Sequence, residues 1–167
     1  MAILNESLDW NSFAISPGVR SAFRGTPVKT LFPAGRWLCR FITAESKKNG
    51  IPGNEIYLGP WWTEWNSTAK MLNDWKSSKS TPRDILRGRL AVTQGFSSKL
   101  DGMVQIVLTQ PVYAWKGIAQ HQTDRRAKVT YIGGGEQLFL PNLASDSTGV
   151  TSNVAQMHCW TWVDSLV

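Results

Sequence analysis

A chain of 167 residues with 42% hydrophobic and 18% charged side chains is long enough to bury a core without disulfide or metal staples. No segment reaches the roughly 20 apolar residues of a membrane-spanning helix, and Cys39, Cys159, His121 and His158 lack zinc-ligand spacing, so no metal site is expected. Eighteen basic against twelve acidic residues leave a net charge of +6, which suits phosphate-bearing partners, although no nucleic-acid-binding motif accompanies it.

In chain order, residues 1–30 read as an irregular arm with turn chemistry at Pro17–Gly18. After a turn at Pro33–Ala34–Gly35, the segment WLCRFIT from Trp37 to Thr43 is rich in strand formers. Lys47 to Asn54 reads as an exposed loop, and Ile56 to Leu58 as a short strand broken by Gly59–Pro60. A helix follows, capped by Asn66 or Ser67, with Met71, Leu72 and Trp75 at helical spacing, and Ser77 to Ser80 ends it. Thr81 caps a second helix, with Pro82 in its first turn and Asp84 favourably placed in the dipole; Ile85, Leu86 and Leu90 form its buried side.

From Met103 the character changes. MVQIVL is β-branched, Pro111 interrupts it, and VYAWKGIA from Val112 continues as a second strand. His121 to Arg126 reads as a polar loop. Val129–Ile132, Gln137–Leu140 and Met157–Val163 are the remaining strands. Helices in the middle and strands at the end predict a single α+β domain spanning 1–167, with a small helical middle segment on a mostly antiparallel, strongly twisted sheet.

The segment most suggestive of chemistry is Gly133–Gly134–Gly135–Glu136–Gln137. Glycines let backbone approach a ligand closely, and successive amides in such a turn can form an anion-binding nest. The carboxylate of Glu136 and the carboxamide of Gln137 sit on opposite faces of the following strand, so one points into a cleft and the other away. Gln137 shares its face with Phe139, and Glu136 with Leu138 and Leu140; the pattern leaves the choice open. Arg36 and Arg40 are candidates to grip phosphate oxygens. Trp115, Tyr131 and Tyr57 are candidate aromatic walls, and His121 a candidate base whose bland reading is an inert loop histidine.

The stretch QPVYAWKGIAQ followed by IGGGEQLFLPN resembles the C-terminal half of NAD glycohydrolase toxin domains of the tuberculosis-necrotizing-toxin type. The likeness covers about 30 residues, with weaker steps at Arg24–Pro27 and Pro33–Gly35. It implies an ADP-ribosyltransferase-like fold and cleavage of the nicotinamide–ribose bond of NAD, which is substrate rather than cofactor. Gln137 matches the functional Gln of that segment, Glu136 stands beside it, and Gly134 and Gly135 would line the substrate. The resemblance further implies a toxin or effector and a cognate immunity protein. MAILNESLDWNSF carries no secretory signal, so a cytoplasmic product exported by a dedicated secretion system is the expectation.

Two other readings stand beside it. A mono-ADP-ribosyltransferase of the same fold group would place a catalytic Glu where Gln137 falls. A non-enzymatic module would use some of the nine tryptophans, above all Trp61, Trp62 and Trp65, for glycans or another protein. Nucleic acid and membrane are not expected partners.

Overall fold

The computed structural model describes residues 2–43, 59–95, 97, 99–143 and 153–166. Seven strands form one sheet: β1 (Val28–Phe32), β2 (Trp37–Ile42), β3 (Trp61–Glu64), β4 (Gly102–Leu108), β5 (Val112–Ile118), β8 (Glu136–Phe139) and β9 (Ala155–Trp162). Their spatial order is β1-β5-β8-β3-β2-β4-β9, and all neighbours run antiparallel. A separate ribbon pairs β6 (Gln122–Asp124) with β7 (Val129–Tyr131). Among the described residues three α-helices accompany them: α1 (Pro17–Ser21), α2 (Trp65–Trp75) and α3 (Pro82–Leu90). The α+β class and the mostly antiparallel sheet match the expectation.

One face of the sheet rolls into the main core. Leu38, Trp62, Val104, Ile106, Ala114 and Leu138 come from five strands yet pack in one buried cluster, which requires the sheet to twist strongly. The opposite face is covered in two separate patches. At one end the arm lays Ile15 and Phe23, with Trp10 beside them, over Trp115 and Phe139. At the other end Met71 and Leu72 of α2 and Leu86 of α3 cover Cys39, Phe41 and Met103. Between the two patches the sheet stays accessible.

The hydrogen-bonded register between β2 and β3 spans two pairs, Leu38↔Glu64 and Cys39↔Thr63, and that between β3 and β8 spans two, Trp61↔Phe139 and Trp62↔Leu138. These short ladders are the seam between two better-paired halves, β1-β5-β8 and β2-β4-β9.

Several local expectations are corrected. Residues 1–30 are not wholly irregular: Ser16 caps α1 through its side chain, and β1 begins at Val28. α2 starts at Trp65 directly from β3, with Glu64 as its N-cap and no side-chain cap bond, so Asn66 and Ser67 lie inside the helix. The polar tract 121–126 contains β6. The loop and strand expected over 47–58, with Tyr57, lie outside the described residues. α3 follows its sequence closely, with reciprocal Thr81–Asp84 capping bonds and Pro82 at its start.

Candidate functional site

A cleft of about 370 Å³ opens on the accessible part of the sheet. Its floor is strand backbone and side chains at Cys39–Phe41, Trp61–Thr63 and Gln137. One wall is the arm, through Ser16, Gly18, Val19 and Ala22; the other is the chain leaving α3 at Leu90–Thr93, with Gln120 and Gln122 completing the rim. A concave, largely apolar site with a few polar groups is the usual form of a small-molecule pocket. Arg40 is the one charged residue among the described lining residues, and no carboxylate is among them.

Pairing decides the orientation that the sequence left open. Gln137 sits opposite Gly117 of β5, on the face that carries Phe139 and Trp115. Its side chain is buried, and Nε2 donates to the carbonyl of Ala22 at 2.9 Å. The same carbonyl accepts the backbone N–H of Gln120 at 2.8 Å, so the arm, the end of β5 and Gln137 are tied at one point.

Glu136 points the other way. It accepts a hydrogen bond from the hydroxyl of Ser67 and lies 3.2 Å from Nζ of Lys116. Lys116 also donates to Glu64 at 2.8 Å, and Arg36 pairs with Glu64 at 3.5 Å. Burial depresses the Lys116 ammonium somewhat, but the bonds to Glu64 and Glu136 outweigh it and raise its pKa. Arg36 and Glu136 thus belong to a charge network on the face opposite the cleft. This network lies on neither cleft wall.

Arg40 is on a strand of the floor, but it alternates with Cys39 and Phe41 and shares the main-core face with Leu38, so only its backbone meets the cleft. Its guanidinium lies 5.9 Å from the Trp62 ring, which corrects the expectation of a phosphate grip there. Burial pulls its pKa down to about 10, so it remains a cation at neutral pH. Trp115 is fully buried under the arm, its ring 5.7 Å from that of Trp10, and does not line the cleft. Tyr131 pairs with Gln122 in the ribbon and is half-buried, and His121 is exposed. Neither is among the lining residues.

The glycine turn departs from the expected nest. The amides of Gly133 and Gly135 donate to the carbonyls of Gly88 and Arg89 at 2.9 and 2.8 Å, and that of Gly134 to Ala119 at 2.9 Å. Gly88 and Arg89 are in the last turn of α3, whose carbonyls have no partner within the helix. The turn therefore caps a helix C-terminus, the negative end of the dipole, which disfavours an anion there. Glycine is required by proximity: a Cβ on Gly133 would fall 2.3 Å from the Ala119 oxygen, and one on Gly135 2.7 Å from Met71 Sδ. Gly134 and Gly135 hold Gln137 in register with the cleft wall rather than offering amides to a ligand.

Sequence reasoning missed Gln120, Gln122, Thr63 and the wall at 90–93. Gln122 lay in a tract read as loop, and Thr63 in a strand without a boundary signal. The wall begins at Ala91, whose left-handed conformation (φ 52°) turns the chain out of α3.

No family model matches the chain, and no curated protein matches it in sequence. Among solved structures, Tne2 in complex with Tni2 matches with a TM-score of 0.50 at 14% identity, covering 84% of this chain and 95% of that one. This chain is similar in fold to Tne2. Rhs1-CT in complex with its cognate immunity protein RhsI1 gives a TM-score of 0.49 at 16% identity, over 82% and 80% of the two chains.

Proposed function

We propose that this chain is a toxin-type effector domain of ADP-ribosyltransferase-like fold that hydrolyses the nicotinamide–ribose bond of NAD in the cleft at the sheet seam. The observation that carries the reading is Gln137: of the two polar residues behind the glycine turn, the one matching the family's functional Gln lines the cleft and is anchored there. The fold likeness to Tne2 adds support for the architecture.

The chemistry suits a site with no acid among its described lining residues. The C–N bond breaks with its electron pair going to the nicotinamide nitrogen, which neutralises that ring, so the leaving group needs no proton. Water then bonds to C1′ and releases its proton to solvent. Positive charge builds on the ribose in the transition state. Gln137, anchored through its nitrogen, presents its carbonyl oxygen to a ribose hydroxyl and orients the sugar for attack. The guanidinium of Arg40 lies behind the floor beside Trp62, so the pyrophosphate would be met by neutral hydrogen-bonding groups of the cleft. Gln120, Gln122 and Thr63 supply neutral hydrogen-bonding groups.

This arrangement favours hydrolysis over transfer of ADP-ribose to a macromolecule. A transferase carboxylate that activates the acceptor has no counterpart among the described lining residues, because Glu136 is engaged by Ser67 and Lys116 behind the floor. A tryptophan-based glycan platform is disfavoured as well, since Trp62 is core and Trp61 packs on Phe23 and Phe139 at 5.5 and 5.2 Å. A cognate immunity protein is the partner this reading expects; the Tne2 structure itself contains a second protein, Tni2.

Nicotinamide release from NAD by purified protein tests the proposal. Gln137→Ala is expected to lower kcat/KM by about 100-fold, the scale of losing one well-placed polar group, while Glu136→Ala keeps most activity. No turnover by the wild type, or equal losses in both variants, overturns it.

A further inference from the structure

Beyond Leu90, the last residue of α3, the cleft wall has no regular secondary structure, yet it is held from two sides by buried charged groups outside the cleft. From the α3 side, Nη1 of Arg87 donates to the carbonyls of Val92 and Ser97, each at 2.9 Å, and Arg87 is 7% exposed. From the ribbon side, Oδ2 of Asp124 accepts the backbone N–H of Gln94 at 2.6 Å. Oδ1 of Asp124 takes the amides of Arg126 and Ala127 at 2.9 and 3.0 Å, and the residue is 4% exposed.

Both carboxylate oxygens are thus committed, and they join two segments that each face the cleft. Asp124 closes the strand that carries Gln122, and Gln94 follows Thr93 directly; both Gln122 and Thr93 line the cavity. Buried charges that accept several backbone amides are held in place more firmly than neutral groups. The three amide bonds, and secondarily the positive charge of Arg87, keep the Asp124 carboxyl below its usual range.

We propose that Asp124 is a positioning residue which, opposite Arg87, clamps the 90–93 wall against the β6–β7 ribbon and so sets how tightly the cleft holds its ligand. The proposal rests on the reading of the cleft as an NAD site. The clamp acts on a binding wall and not on Gln137, which is held separately by Ala22. Its loss therefore weakens ground-state and transition-state binding alike and appears in KM. Asn at position 124 keeps one acceptor oxygen and restores part of the effect.

The test compares wild type, Asp124→Ala and Asp124→Asn by NAD kinetics and by amide hydrogen exchange over 90–97. For Asp124→Ala, KM is expected to rise about tenfold with kcat within about threefold, as for lost uniform binding. Exchange over 90–97 speeds while β4 and β9 exchange as in the wild type, and Asp124→Asn falls between. A fall in kcat matching a loss of folded protein, or unchanged KM and unchanged exchange, overturns the clamp. A wild type that exchanges slowly over 90–97 but does not turn over NAD overturns the substrate reading, and this role of Asp124 with it. A wild type that turns over NAD while Asp124→Ala matches it overturns the clamp alone.

Discussion

Cys39 shows how a residue can face a ligand cavity and remain chemically silent. It lines the cleft floor but is fully buried, and burial pushes its thiol up to about 12. The thiolate is the reactive form, so at pH 8 almost none is present. Native protein is expected to resist iodoacetamide at Cys39 and to react there only after unfolding. Labelling of Cys39 in the native state at pH 8 would show that the floor opens far more than the packing implies. Gln105 stands between the two cysteines, accepting from Cys159 at 3.4 Å and donating toward Cys39 at 3.8 Å. Both cysteines are free thiols. The orientation of Gln137 belongs to this scale too: local alternation permits either Gln137 or Glu136 to face in, and only the distant partners Gly117 and Ala22 decide.

Among the elements, the start of α3 was written into its own residues, although its buried side is Pro82, Leu86 and Arg87, with Ile85 and Leu90 only partly buried. Thr81, Pro82 and Asp84 build its start from contacts three residues apart, and such local signals survive without tertiary context. β3 is the counterexample. Four strand residues run straight into α2 at Trp65 without a turn or a breaker, so the periodicity switches in the middle of WWTEW and neither period is long enough to register. β6 was hidden for a different reason: its ribbon is largely solvated, and Gln-Thr-Asp shows no apolar alternation. The glycine turn was conspicuous in sequence, but its role depends on α3 carbonyls more than 40 positions away. Gly133→Ala is the direct probe of that role. The position has φ +69° and its Cβ would meet the Ala119 oxygen, so a loss of about 2–4 kcal/mol is expected in urea unfolding. A change under 0.5 kcal/mol would mean that the turn is not locked onto the helix end.

At the scale of the whole molecule, the cleft exists because two covers of one sheet face do not meet. The arm packs through Trp10, Phe23 and Ile15 on the β5–β8 half, and the helices pack through Met71, Leu72 and Leu86 on the β2–β4 half. Each aromatic contact of the arm adds on the order of 0.5–1.5 kcal/mol beyond its buried area, enough to make the arm a fixed wall. Hydrophobic patterning foretold the apolar faces of the helices but not the cover by the arm, because Ile15 and Phe23 lie in a segment with no sustained period. In the proposed function NAD occupies the gap between these covers with its ribose at Gln137. A crystal structure with a non-hydrolysable NAD analogue shows whether it does. The prediction is ligand density along the floor from Phe41 to Gln137, with a ribose hydroxyl within hydrogen-bonding distance of the Gln137 carboxamide. Density confined to another surface, with the cleft empty and Gln137 still bound only to Ala22, would contradict it.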